Sequence, residues 1–126
     1  MGTLHKALII DDSELAVEYA ADALKAAGFE VVTRTSAIGT SAVILREKPD
    51  IVLVDCNMPG MSGPDFVASL RRHPKLRKTV VLLYSERTAE ELEKAARICG
   101  ADGYIPKSTE FIQIPALVRK HLPIAE

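Results

Sequence analysis

The feature that most constrains this chain is a regular alternation of two kinds of segment. Short apolar, β-rich runs lie at Lys6–Ile10, Phe29–Arg34, Ile51–Asp55, Thr79–Tyr84 and Gly103–Ile105. Stretches with helical spacing separate them. Val17, Ala20, Leu24 and Ala27 recur at steps of three or four and share one helix face, with Gly28 following as a stop. Ile38, Ala42 and Leu45 predict the buried stripe of a shorter helix before Pro49. Phe66, Val67 and Leu70 predict another, with Pro64 in its first turn. Thr88 and Glu91 have capping-box spacing ahead of Leu92, Ala95, Ala96 and Cys99, and Gly100 closes that helix. The last helix leaves two options, because Pro115 would break a helix running from Thr109. Either it starts near Pro115 or a separate turn precedes it. Five strands alternating with five helices predict an α/β fold, a parallel sheet covered on both faces.

A length of 126 residues fits a single domain, 1–126, with its core at about 6–122. A formal net charge of −1 gives no overall pull toward nucleic acid or an anionic membrane. The apolar runs are too short to span a bilayer, and the first residues lack a signal-peptide pattern. Met1-Gly2 opens like a myristoylation motif, but Lys6 stands where that motif wants a hydroxyl residue. The expectation is a cytoplasmic protein. Cys56 and Cys99 have no metal or redox spacing and read as reduced thiols. His5, His73 and His121 are scattered. The basic run Arg71, Arg72, His73, Lys75, Arg77 and Lys78 reads as a solvated loop rather than a nucleic-acid site, since no aromatic residues interleave.

Polar groups cluster at the strand ends. Asp11 and Asp12 follow the first strand, Asp55 closes the third, Ser85 follows the fourth and Lys107 comes just after the fifth. In a parallel sheet these ends share one edge, where α/β proteins bind ligands. Three carboxylates drawn together repel one another, and an all-oxygen donor set suits Mg²⁺. A lysine is a mobile point charge for a phosphate oxygen, a serine hydroxyl donates one more hydrogen bond, and a carboxylate can act as nucleophile and form an aspartyl phosphate. Each residue alone has a plainer reading. Asp12 or Ser13 serves as a helix cap, Ser85 as a turn residue, Lys107 as a solvated surface charge, and Tyr104 as packing on an edge-like strand. Asp55 differs, because four apolar residues lead up to it and a carboxylate there needs compensation.

Four motifs in order carry a family resemblance. They are Leu8-Ile9-Ile10-Asp11-Asp12, the run from Ile51 through Asp55-Cys56-Asn57-Met58-Pro59-Gly60 to Gly63, Val81-Leu82-Leu83-Tyr84-Ser85, and Gly100-Ala101-Asp102-Gly103-Tyr104-Ile105-Pro106-Lys107. The chain resembles response-regulator receiver domains of two-component signalling from about Lys6 to Leu122. The resemblance implies a flavodoxin-like (βα)5 three-layer sandwich with strand order 2-1-3-4-5. It implies that Asp55 accepts a phosphoryl group from a phosphohistidine on a sensor histidine kinase or phosphotransfer protein. Asp12 would bind Mg²⁺ directly, Asp11 mostly through water, and the Asn57 carbonyl would be another ligand. Lys107 would pair with the phosphoryl oxygens, Ser85 would bond them as the switch closes, and Tyr104 would turn inward. The readout face would be the fourth helix, fifth strand and fifth helix, which contacts a downstream protein and leaves a homodimer open. Such a module is a switch rather than a turnover enzyme. The chain departs from the family in having Glu86 after Ser85, where the family usually has a small residue, with Arg87 next to offset its charge or shield the site from water, and in having Ser108 rather than proline after Lys107. A cis bond at 107–108 is therefore not expected.

Three alternatives follow from the same residues. A pseudo-receiver would use the fold as a constitutive interaction module. An Asp-nucleophile phosphatase would carry a second Asp where Asn57 stands. A flavin carrier would need a Gly/Ser/Thr-rich loop where Asp11 and Asp12 stand, and these would repel the flavin phosphate.

Overall fold

The computed structural model describes residues 5–122, so the Met1-Gly2 start and the last residues of the expected 1–126 domain lie outside the described residues. The elements are β1 Lys6–Ile10, α1 Glu14–Ala26, β2 Glu30–Arg34, α2 Thr40–Glu47, β3 Ile51–Val54, α3 Gly63–Arg72, β4 Val81–Ser85, α4 Ala89–Cys99, β5 Gly103–Pro106 and α5 Ile114–Arg119. All strand pairs are parallel, in the order β2-β1-β3-β4-β5. This is the expected flavodoxin-like sandwich.

Strand alternation builds two cores from the same strands. Leu8, Ile10, Val52, Val54, Val81 and Leu83 face Phe66, Val67 and Leu70 of α3 and Leu92 and Ala96 of α4. Ala7, Ile9, Ile51, Leu53, Leu82 and Tyr84 face Ala20 and Leu24 of α1 and Ile114 and Val118 of α5. Because successive side chains point to opposite faces, a central strand must be apolar throughout, and β3 is buried at every position.

The helix starts follow the sequence closely. Ser13 caps α1 by accepting the Ala16 N–H, Ser62 caps α3 by accepting the Asp65 N–H, and Thr88 with Glu91 closes a full capping box on α4. Asp12 is therefore free of the capping role. Glu91 accepts the Thr88 N–H, which holds its carboxyl below the ordinary range. The end of the chain combines both options for the last helix: a 3-10 turn at Phe111–Gln113 runs into α5, where Pro115 occupies the first turn.

Two expectations are corrected. In α2 the buried residues are Thr40, Val43 and Ile44, while Ile38 and Leu45 are exposed at 66% and 40%. The expected stripe is real in spacing but faces solvent, because the helix starts only at Thr40 and docks through a neighbouring pair. The second correction concerns Arg71, which does not belong to a solvated run. Its guanidinium donates to the carbonyls of Gly100, Arg77 and Thr79 and pairs with Asp102 at 3.0 Å. It ties the α3–β4 and α4–β5 turns together at the end of the sheet where the strands begin. Cys56 and Cys99 are free thiols, with burial pushing both above the usual thiol range, and no described peptide bond is cis.

Candidate functional site

The sheet ladder continues past the strand ends and fixes the backbone of Asp11, Asp55 and Lys107. The Asp11 N–H donates to the Arg34 carbonyl at 3.0 Å, the Asp55 N–H to the Ile10 carbonyl at 2.9 Å, and the Lys107 N–H to the Ser85 carbonyl at 2.8 Å. The predicted residues Asp11, Asp55, Ser85 and Lys107 thus come from four strands onto one edge. Asp11, Asp55 and Ser85 are buried, at 0%, 6% and 1% exposure. Asp12 and Asn57 are exposed.

Electrostatics dominates here. Carboxylate oxygens of Asp11, Asp12 and Asp55 lie within 4.8 Å of one another. Lys107 Nζ sits 2.7 Å from Asp11 Oδ2 and 3.6 Å from Asp55 Oδ1. Asp11 Oδ1 accepts the Ser13 N–H at 2.9 Å. Its buried Oδ2 has no hydrogen bond of good geometry, so the short contact to Lys107 is an ion pair off the hydrogen-bond direction. Burial, then the Asp11 charge, pushes the Asp55 carboxyl up, against the pull of Lys107 and a backbone hydrogen bond from Asn57. Burial works against the Lys107 ammonium, but Asp11, Asp55 and Glu86 outweigh it and leave Lys107 above its usual value. Three crowded carboxylates, with one buried oxygen short of a donor, form a donor set that fits a hard divalent cation.

Beside the carboxylates opens a cleft of about 460 Å³, lined by Ser13, Asp55, Asn57, Ser85, Glu86, Arg87 and Lys107. Arg87 crosses it. Its Nη2 donates to Asn57 Oδ1 at 3.0 Å, and its backbone N–H reaches Ser85 Oγ at 3.4 Å. Among the described residues Arg87 has no ion pair with Glu86. Tyr104 is not at this cleft. It is half-buried on β5 beside Leu83 and lines a separate hollow of about 540 Å³ with Glu93, Arg97, Lys120 and His121.

Sequence reasoning included Tyr84 and Gly63 in the motifs but gave neither a role. The Tyr84 ring is buried, with Lys107 Nζ 5.5 Å from its centroid, and burial followed by the Asp11 charge pushes its phenol up to about 12. Gly63 starts α3 against the Asp55 backbone, and a Cβ there would overlap the Asp55 carbonyl. The one signal for it was a glycine beside proline at a helix start.

The family model for the response regulator receiver domain matches residues 7–119. The chain belongs to that family. This receiver domain is 27% identical to Protein PilG of Pseudomonas aeruginosa over 118 residues, 94% of this chain and 87% of that protein. It is 32% identical to the transcriptional regulatory protein KdpE of Mycobacterium tuberculosis over 123 residues, 94% of this chain but 53% of that protein. The receiver domain thus spans about half the length of several transcriptional regulators it matches. The chemotaxis response regulator CheY4 of Vibrio cholerae superposes with a TM-score of 0.86 at 27% identity, covering 95% of this chain and all of that one. Receiver domains are signalling modules of two-component systems that work with histidine kinases or phosphotransfer proteins. Among the described residues no helix is long and apolar enough to cross a membrane.

Proposed function

We propose that this receiver domain accepts a phosphoryl group on Asp55 and changes its binding face in response. The observation that supports it best is the bridging position of Lys107, within 2.7 Å of Asp11 and 3.6 Å of Asp55 beside an open cleft. An Asp55 carboxylate oxygen attacks the phosphorus of a phosphohistidine. The P–N bond breaks, its electron pair returns to the imidazole, and an aspartyl phosphate forms. Lys107 moves its charge from the carboxylates to a phosphoryl oxygen, and the Ser85 hydroxyl donates to another. Asp11, Asp12, Asp55 and the Asn57 carbonyl are the residues that would hold Mg²⁺, whose charge favours the transferring oxygens. Tyr104 then moves, and the α4-β5-α5 face presents a changed surface to a downstream protein or a second copy in the cytoplasm. Turnover chemistry is limited to gaining and losing the phosphoryl group.

Intact mass after incubation with Mg²⁺ and acetyl phosphate tests this reading. One metal-dependent phosphoryl adduct, absent from Asp55→Asn, is expected. No adduct from folded protein, either with this donor or with a cognate kinase, would assign the chain to the pseudo-receivers.

The Arg87–Asn57 bridge makes a second expected result. Arg87 spans the cleft from the turn after β4 to the loop after β3, so it limits water's approach to Asp55. Arg87→Ala should shorten the aspartyl phosphate lifetime roughly threefold or more, measured by decay of the adduct mass after the donor is removed. An unchanged lifetime would leave the bridge with no part in hydrolysis.

A further inference from the structure

At the opposite end of the sheet, where the strands begin, the charge is reversed. Across residues 44–50 and 71–79 cationic side chains outnumber carboxylates seven to two. Both carboxylates are engaged. Glu47 pairs with Lys6 and Arg46, and Asp50 accepts the Lys6 backbone N–H and faces His5. Arg71 is committed to Asp102 and three carbonyls. Lys48, Arg72, Lys75, Arg77 and Lys78 have no ion-pair partner among the described residues.

Two of these cations, Lys48 and Lys75, border an apolar hollow. Leu45, Pro49 and Leu76 line a cleft of about 290 Å³, with Lys48 and Lys75 at its rim. Leu45 is also the end of the solvent-facing stripe on α2.

A second, independent observation concerns Lys48. It caps α2 at φ 51 and ψ 55 and is the non-glycine residue with positive φ among the described residues. Glycine or asparagine fits that conformation with less strain, and strained backbone of this kind concentrates at functional positions.

We propose that this end of the domain docks an acidic segment of a partner protein that carries one aliphatic anchor. The anchor fills the Leu45–Pro49–Leu76 hollow, and flanking carboxylates meet Lys48 and Lys75. Apolar walls with a charged rim suit an anchored peptide. A nucleic acid is disfavoured because no aromatic ring lines the cleft for a base to stack on. The surface is separate from the phosphoacceptor edge and does not depend on its chemistry.

The test is amide chemical-shift titration of the full chain with a synthetic peptide of Asp and Glu around one central Leu. The same peptide with Ser for Leu, an oligothymidylate and phosphatidylglycerol vesicles are the comparison ligands. Shifts at Leu45, Lys48, Lys75 and Leu76 are expected, weakened about fivefold by the Leu-to-Ser peptide, by Lys48→Gly and by Lys75→Gln. Lys48→Gly should at the same time raise Tm, which separates lost binding from lost folding. The proposal is overturned if those amides do not move, if both variants bind like the parent, or if the oligothymidylate or the vesicles bind more tightly than the peptide.

Discussion

Gly63→Ala should destabilise the domain by about 3 kcal/mol, a fall in Tm of about 10 °C. Gly63 is fully enclosed at the first position of α3, and its N–H donates to the Cys56 carbonyl at 3.0 Å. An added Cβ would overlap the Asp55 carbonyl and crowd the Cys56 backbone. Those atoms are backbone and cannot rotate aside. Either α3 retreats and opens the core around Phe66 and Val67, or the loop after β3 shifts and carries Asp55 with it. The effect should therefore appear twice, as a lower Tm by calorimetry and as a lower yield of phosphoryl adduct in the protein that remains folded. A variant with the parent's Tm and adduct yield would show that the helix start adjusts freely and that this packing matters little.

Lys107→Met is expected to cost about 2 kcal/mol at neutral pH, less than a fully buried pair because the ammonium keeps some contact with water. The substitution leaves Asp11 and Asp55 facing each other with no cation between them. Asp55 already titrates above its ordinary value in the folded protein, from burial and from Asp11, and removing Lys107 raises it further. A carboxyl with a raised folded pKa binds its proton more tightly in the folded state than in the unfolded one. Its penalty is thus absent at pH below the unfolded value and grows as pH rises toward the folded one. Urea unfolding should show the variant approaching parent stability in mild acid and falling away from it toward pH 7, with excess Mg²⁺ restoring part of the loss. A gap that stays constant with pH would mean that Lys107 acts through packing on Tyr84 rather than through charge. Adduct formation from acetyl phosphate should also slow about tenfold, since the phosphoryl oxygens lose a partner.

Most of the fold was legible in the sequence, for definite reasons. Strands buried on both faces must be continuously apolar, so Ile51–Val54 could hardly be misread. Caps are local, and Ser13, Thr88 with Glu91, and Gly100 declare themselves within a few residues. The stripe on α2 misled because a two-turn helix offers too few residues for periodicity to tell the core face from an apolar outer face. Burial of Val43 and Ile44, not of Ile38 and Leu45, is decided by where the helix begins.

The candidate site divides in the same way. That Asp11, Asp12, Asp55, Ser85 and Lys107 share an edge followed from parallel topology. Partner choice did not, because side-chain contacts across 30 to 96 residues depend on rotamers. Nothing local says that Lys107 rests nearest Asp11, that Arg87 bonds Asn57, or that Arg71 leaves its basic neighbours to bind Asp102. Tyr104 could be assigned to β5 but not to the hollow it lines, which requires α4 and α5 to be in place.

The cation that answers the acidic cluster is contributed by the fifth of five strands, one residue after β5. During synthesis on the ribosome, Asp11, Asp12 and Asp55 therefore emerge well before the charge that allows them to sit together. A nascent chain lacking β5 carries Asp55 without its counter-charge and without the last edge of the sheet. Under the proposed function, competence to accept a phosphoryl group on Asp55 would arrive only with completion of the sheet.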